Sequence, residues 1–294
     1  MDASRIESRD GYVDTGGAII YYATIGTGPP LVLLHGGPGA THADFLPYLL
    51  PLARRRQLVL IDERGCGRSQ QFEDHSQYSL ATLANDIESV RLALDLGKID
   101  LLGHSFGGIL AQAVAIDYPA GIRRLIIAGS GSSAARINAD FKRIKNSMDE
   151  NVRAQIEALE ARGVIGADGA QLPEYRALAD KAEASYLYFI RPPAWDSARA
   201  PMGWDVLNQI WGAKSDFRID GSLAGFDFTE ALRKLKIPAL VIYGDHDMVS
   251  DATAQESHAA LAGSMLIKIP RCAHMMMVDQ NTVFIDAVTS FLEQ

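Results

Sequence analysis

The sequence contains very little cysteine. Only Cys66 and Cys272 occur among its 294 residues, which is far too few for a scaffold held together by disulfides. One bridge between the two remains open as an alternative. Two reduced thiols, however, fit the conditions of a cytoplasm, and we therefore expect a cytoplasmic protein.

Basic residues and long apolar runs are also scarce. Lys and Arg together number 28 against 36 Asp and Glu, and no basic stripe appears, so nucleic acid is not an expected partner. The longest uncharged apolar stretch, residues 101–116, is too short to span a bilayer. The first residues lead into no apolar run of the kind that forms a secretory signal. A membrane partner is therefore not expected either.

Metal-binding spacings are missing as well. The seven histidines form no His-Glu-x-x-His motif and there is no Cys-x-x-Cys pair, so we expect no metal site. Apolar side chains, in contrast, are plentiful: 48% of the residues are hydrophobic, which is enough to bury a sizeable core. At roughly 150 residues per domain, the length predicts two units or one large unit with an insertion.

Short apolar runs alternate with helical patterns along most of the chain. The runs that predict strands are residues 18–25, 31–34, 58–61, 99–102, 125–128, 239–243 and 265–269. Helices are predicted for the periodic segment that follows Ser79, for residues 107–117 and for residues 284–292. Such alternation predicts an α/β fold with a mostly parallel sheet and helices on both faces.

One interval, residues 131–230, contains helical patterns without strands. We expect one amphipathic helix that includes both Phe141 and Leu159, and a second that runs from Tyr175 to Phe189. A helical insertion in a chain of this kind is typical of a cap over an active site. The predicted organisation is therefore a core formed by residues 1–130 and 231–294, with a cap formed by residues 131–230.

The predicted cap is rich in aromatic residues and holds all three tryptophans of the chain. Tyr186, Trp204 and Trp211 are candidates for the wall of a substrate pocket, because pockets for small molecules are commonly lined by aromatic side chains. Alternatively, each of these residues serves only to fill the core of the helical layer.

The segment around Ser105 carries the clearest chemical signal. Gly103-His104-Ser105-Phe106-Gly107 fits the pattern Gly-x-Ser-x-Gly and lies between a predicted strand and a predicted helix. Glycines two positions before and after the serine permit a sharp turn that exposes the hydroxyl at the positive end of the helix. We therefore predict that Ser105 is a nucleophile, whereas the alternative is a glycine-rich turn that contains a serine by chance.

A serine nucleophile needs a base and a group that orients the base. In chains with this motif the order is nucleophile, acid, then histidine, and suitable residues follow two later strands. His274 is the predicted base, and Asp247 is the predicted acid. Asp245 competes with Asp247, because spacing alone does not separate them.

Backbone amides near the serine can stabilise a developing oxyanion. His35-Gly36-Gly37-Pro38-Gly39 follows a predicted strand, and Phe106 follows the nucleophile directly. We predict that the N–H groups of Gly37 and Phe106 form the oxyanion hole. Taken alone, the glycine-rich pentapeptide is equally explained as a turn without chemistry.

Together these segments resemble the proline iminopeptidase branch of the α/β hydrolases, which includes the tricorn-interacting aminopeptidases. The resemblance covers nearly the whole chain and rests on residues 35–39 and 62–69, the Ser105 motif, Gly244-x-x-Asp247 and Ala273-His274. It implies an α/β-hydrolase fold with an inserted helical cap and no cofactor. Its Gly-x-x-Asp pattern implies that the catalytic acid is Asp247.

The resemblance also implies a function. It suggests a serine hydrolase that cleaves amide or ester bonds through an acyl-enzyme, most simply an aminopeptidase that acts on small molecules or short peptides with a free N terminus. The same triad also serves a carboxylesterase or amidase that acts on uncharged acyl compounds, which is the main alternative. A binding protein that has the hydrolase fold but no catalysis is a more distant one.

In this family, carboxylates of the cap are expected to hold the ammonium group of the substrate. A buried cation needs a paired anion, so the expectation is physically sound. The candidates in this chain are Glu183, Asp196, Asp205 and Asp216. The alternative for each is a solvated charge on the surface.

Overall fold

The computed structural model describes residues 7–190 and 201–294, and a sheet of eight strands lies at its centre. In chain order the strands are β1 Ser8–Asp14, β2 Ile19–Ile25, β3 Pro30–Leu34, β4 Gln57–Ile61, β5 Ile99–His104, β6 Ile122–Ala128, β7 Ala239–Gly244 and β8 Met265–Ile269. Their order across the sheet is β1-β2-β4-β3-β5-β6-β7-β8. From β4 to β8 in this order, each strand runs parallel to the next. At the other edge, β1 pairs antiparallel with β2, and β2 pairs antiparallel with β4. The predicted α/β fold is confirmed.

The parallel strands are apolar because the sheet is covered on both faces. Along β3, Val32 and Leu34 pack into a cluster on one face, whereas Leu31 and Leu33 pack into a second cluster on the other face. Successive side chains of a strand point to opposite faces, which explains this division. The mostly polar β1 was not predicted, since five of its seven residues are exposed and only Val13 is buried.

Helices fill the connections between the strands. Among the described residues they are α1 Leu80–Ala93, α2 Phe106–Asp117, α3 Ala134–Ser147, α4 Glu150–Arg162, α5 Pro173–Leu187, α6 Trp204–Ile210, α7 Thr229–Leu232, α8 Asp251–Ala260, α9 Met276–Asp279 and α10 Asn281–Leu292. Helix α1 begins with a capping box. The Ser79 hydroxyl accepts a hydrogen bond from the Thr82 N–H, and the Thr82 hydroxyl accepts one from the Ser79 N–H.

The prediction of one continuous helix between Phe141 and Leu159 is wrong. The chain leaves the helical conformation at Met148, where ψ is 154°, and a new helix begins after Asp149. The Asp149 carboxylate accepts hydrogen bonds from the N–H groups of Asn151 and Val152, and this cap starts α4. The apolar spacing continues across the break, which is why periodicity alone did not reveal it. Likewise, α5 ends at Leu187 and does not include Phe189.

The helices α3 to α7 all lie between β6 and β7 in the chain, in the interval predicted as a cap. Ile137 and Phe141 of α3 belong to the same buried cluster as Leu101 of β5 and Val114 of α2. The helical layer and the sheet therefore share apolar packing on one face. The exact boundaries of the cap, residues 131–230, remain a prediction.

Within residues 7–190 and 201–294, none of the helices combines the length and the apolar character needed to cross a membrane.

Candidate active site

Ser105 occupies a strained turn between β5 and α2. Its φ is 56° and its ψ is −123°, a conformation that non-glycine residues seldom adopt outside functional sites. The two flanking glycines are needed because the chain passes so close to itself. A Cβ on Gly103 would lie 2.0 Å from the Gly107 carbonyl oxygen, and a Cβ on Gly107 would lie 2.1 Å from the Leu34 carbonyl oxygen. The Gly-x-Ser-x-Gly pattern therefore has a steric cause.

His274 and Asp247 meet at the carboxyl ends of neighbouring strands. Asp247 follows β7 and His274 follows β8, and the His274 Nδ1 atom lies 2.8 Å from the Asp247 Oδ1 atom. Asp247 is further held by the Val249 N–H, which donates to Oδ1 at 3.0 Å. The competing carboxylate, Asp245, instead accepts a hydrogen bond from the Cys272 N–H at 3.0 Å. Asp247 is thus the carboxylate that reaches the His274 ring.

The His274 segment is held in place by its backbone. Its carbonyl oxygen lies 2.9 Å from the His104 Nε2 atom, and its N–H donates to the Tyr186 carbonyl oxygen at 2.9 Å. Burial lowers the pKa of His104 to about 3, so this ring is neutral and Nε2 carries the proton it donates. His104 therefore supports the segment without adding a charge next to His274.

Gly129 packs against the His274–Asp247 pair and was not singled out from the sequence. It has a φ of +56°, and a Cβ there would lie 3.1 Å from His274 Nδ1 and 3.2 Å from Asp247 Oδ2. The sequence offered one signal for Gly129, which is its place directly after β6. The strand β6 lies between β5 and β7, and sites in sheets of this kind lie at the carboxyl ends of the strands.

The predicted oxyanion residues belong to two segments that meet at the serine. Gly36 is so close to Ser105 that a Cβ on Gly36 would be 3.1 Å from the Ser105 Cβ. Gly37, with a φ of +112°, is the turn position of the same loop, and a Cβ there would lie 2.6 Å from the Gly39 nitrogen. Phe106 is the first residue of α2, where backbone N–H groups have no acceptor within the helix.

A cavity that is partly open to solvent adjoins the serine. Both Ser105 and His274 line it. Its apolar wall comes mainly from α3, from the segment after Asp247 and from Trp211, whose ring packs edge-on against Phe141 with centroids 5.7 Å apart. The described lining residues include neither Tyr186 nor Trp204. Of the three predicted wall residues, Trp211 is therefore the one that faces this cavity.

Residues 29–280 match the sequence profile of the alpha/beta hydrolase fold family. The chain belongs to the α/β hydrolases. It is also 32% identical to a proline iminopeptidase of Lactiplantibacillus plantarum, over 92% of this chain and 96% of the relative. A proline iminopeptidase of Saccharolobus solfataricus is 29% identical over the whole of this chain and 95% of the relative. These relatives place the hydrolase in the proline iminopeptidase branch, as the sequence motifs predicted, and it is a serine hydrolase.

Solved structures agree on the fold. The crystal structure of a proline iminopeptidase of Mycobacterium smegmatis superposes with a TM-score of 0.83 at 23% identity, and covers 97% of this hydrolase and 98% of that chain. The crystal structure of VinJ superposes with a TM-score of 0.86, also at 23% identity and with the same coverage. The predicted α/β-hydrolase fold is confirmed.

Of the four carboxylates predicted to hold an ammonium group, the three that the structure describes do not line the cavity. Glu183 and Asp216 both contact the Arg176 guanidinium, which also pairs with Asp180. Burial and the nearby charge of Asp216 raise the pKa of Glu183 to about 8. Asp205 is exposed, and its closest ion-pair partner among the described residues is His75, 3.7 Å away. The fourth candidate, Asp196, lies outside the described residues.

The hydrolase also buries a cluster of metal-ligating residue types behind the oxyanion loop. Potential ligand atoms of His35, Glu63 and Cys66 lie within 4.8 Å of one another. Both ring nitrogens of His35 are already engaged, however: Nε2 accepts from the Glu63 N–H at 3.2 Å, and Nδ1 lies 2.9 Å from the Gly36 carbonyl oxygen. Because the ring has no nitrogen left for a metal ion, the donor set does not fit one.

Proposed function

We propose that this hydrolase is an aminopeptidase of the proline iminopeptidase type and that Ser105 is its nucleophile. The Ser105 Oγ attacks the carbonyl carbon of the scissile amide while His274 takes the hydroxyl proton. The tetrahedral oxyanion accepts hydrogen bonds from the N–H groups of Gly37 and Phe106. His274 then passes its proton to the leaving amine, and the C–N bond breaks to leave an acyl-enzyme ester.

Water completes the reaction at the same site. His274 removes a proton from the water as its oxygen attacks the ester carbonyl, and then returns that proton to the Ser105 oxygen as the acid is released. Asp247 accepts a hydrogen bond from the His274 Nδ1–H, so the unprotonated Nε2 is available as the base. It also stabilises the imidazolium that forms in each step.

The cavity favours a small apolar acyl group. Much of its wall is aliphatic or aromatic, which suits an apolar group. The relatives named proline iminopeptidase suggest an N-terminal proline as the preferred residue.

The observation that carries this proposal is the 2.8 Å contact between His274 and Asp247 beside a cavity that Ser105 also lines. A fluorophosphonate probe should label the wild-type enzyme at Ser105 and should not label Ser105→Ala. We expect His274→Ala to lower the turnover of a proline arylamide by about 10⁴-fold or more. His246→Ala is the matched control, because the His246 side chain is 52% exposed and contacts Asp245 instead of Asp247.

The aminopeptidase assignment is tested separately by blocking the substrate amine. N-acetylation of the proline arylamide should abolish turnover by the wild-type enzyme, because the acetylated substrate has no ammonium group. Equal turnover of the free and acetylated substrates would disprove ammonium recognition. Preferential hydrolysis of short-chain aryl esters would instead identify a carboxylesterase. A folded wild-type protein that is not labelled by fluorophosphonate would contradict catalysis by Ser105 altogether.

A further inference from the structure

One face of α3 is joined by hydrogen bonds to the segment that follows Asp247. Residues at positions 133, 136, 140 and 143 lie on the same side of the helix, because their spacings of three and four residues match its turns. All four make polar contacts with residues 248–256. We call this set of contacts the α3 seam.

Asp140 is the buried member of the α3 seam. Its Oδ2 atom accepts hydrogen bonds from the Ser250 N–H at 2.9 Å and from the Thr253 hydroxyl at 2.6 Å. Asp140 is 7% exposed and Thr253 is fully buried, so solvent does not replace these bonds easily. Ser250 caps α8, and the carboxylate therefore fixes the point where the segment after Asp247 turns into that helix.

Arg143 adds a second bond one turn further along α3. Its Nη2 atom donates to the Met248 carbonyl oxygen at 2.9 Å, and its Nε atom lies 3.6 Å from the Asp140 carboxylate. Residues 248, 250 and 253 are thus all tied to one helix. The segment between them lines the cavity beside Ser105 through Met248 and Val249, and Asp140 itself is also one of the lining residues.

These bonds lie next to the catalytic acid. The Val249 N–H donates to Asp247 Oδ1, the same atom that contacts His274 Nδ1. Movement of residues 248–250 would therefore change the direction of the Asp247 carboxylate. We propose that Asp140 is a positioning residue that holds the Asp247 segment in its productive geometry from the predicted cap, an inference that rests on the proposed function of the triad.

The test compares two substitutions at position 140. Asp140→Leu keeps the approximate size of the side chain but removes the acceptor, and should lower kcat and the rate of fluorophosphonate labelling by about 10- to 100-fold while KM changes little. Asp140→Asn keeps one oxygen, and both hydrogen bonds use the same oxygen in the structure. We therefore expect the Asn variant to remain within about threefold of wild type in both rates.

Glu256→Leu is the matched control, because Glu256 joins α8 to Ser133 and Arg136 in the same seam. Within the described part of the chain, no hydrogen bond or ion pair joins Glu256 to residues 247–250. It should leave the labelling rate unchanged. Circular dichroism and urea midpoints establish that each variant is folded.

Several outcomes would overturn the positioning role. One is an Asp140→Leu variant with unchanged rates, and another is an equal loss of labelling in Glu256→Leu. A third is an Asp140→Asn variant that is as impaired as Asp140→Leu and has a raised KM, which would indicate that the charge takes part in substrate binding. Failure of the wild-type enzyme to label at all would instead refute the proposed function. The two failures are therefore distinguishable.

Discussion

Glu63 is buried completely next to the oxyanion loop, yet neither of its carboxylate oxygens has a hydrogen-bond partner among the described residues. Burial and the charge of neighbouring Asp62 raise the pKa of Glu63 well above its usual range. In the unfolded chain the same group ionises near pH 4.3. The folded state therefore retains a proton that the unfolded state releases, and this difference destabilises the folded state as the pH rises above about 4.

The substitution Glu63→Gln should remove this pH dependence, because glutamine has a similar shape and does not ionise. Relative to wild type, the free energy of unfolding of the variant should increase between pH 4 and pH 7, because only the wild-type protein loses stability as the unfolded chain releases the Glu63 proton. Urea unfolding at the two pH values measures this change. The control is Glu73→Gln at an exposed position. A variant whose stability relative to wild type is the same at both pH values would show that Glu63 is ionised in the folded protein.

At the scale of single residues, the sequence indicated the candidate site residues better than it predicted their surroundings. Ser105 and His274 could be proposed as candidates because each follows a strand with a recognisable spacing. Spacing did not separate Asp247 from Asp245, since the difference lies in which carboxylate turns toward His274. The burial of Glu63 and the contact of Gly129 with the His274–Asp247 pair depend on segments distant in the chain, and no local pattern reveals them.

Among the helices, α1 offers a clear test of local stabilisation. The Ser79 side chain and the Thr82 side chain each bond the other's backbone N–H, which satisfies two donors at the start of the helix. Ser79→Ala should lower the free energy of unfolding by about 1 kcal/mol. Urea titration checks the value, and Ser185→Ala at an exposed position within α5 serves as the control. Equal stabilities of the two variants would mean that the cap contributes nothing measurable.

The elements of the parallel sheet were predictable because buried strands read as short apolar runs between turn residues. Strand β1 was missed because its sequence is mostly polar and exposed, so its place is set by pairing with β2. The break between α3 and α4 was missed for the opposite reason, as apolar spacing continues through it. A single aspartate, Asp149, ends one helix and begins the next by capping, and periodicity does not detect a cap.

Across the whole molecule, the predicted cap and the core share one buried cluster on one face of the sheet. Domains that share a core unfold together, so we expect a single cooperative transition. Tryptophan fluorescence reports on the predicted cap, because all three tryptophans lie at positions 195–211. Its urea midpoint should coincide with the midpoint measured by far-UV circular dichroism. Two separate midpoints would mean that the helical layer unfolds independently of the sheet.

The overall fold class could be predicted because the alternation of strands and helices extends over most of the chain. The residues that line the cavity could not be predicted, since its wall combines residues of α3, α2, the Asp247 segment and Trp211. Equally, the acidic residues of the predicted cap gave no sign that Arg176 pairs with three of them. Side-chain partners between distant segments follow from the tertiary packing and not from local composition.

The close approach of Gly103 and Gly107 to neighbouring carbonyl groups has a practical consequence for engineering. Every larger residue at these positions would push the backbone of the nucleophile turn apart, so libraries that aim at new substrates should leave both positions fixed. The side chains of Phe141, Trp211 and Met248 can be diversified instead, because they shape the space beside the serine without carrying its turn.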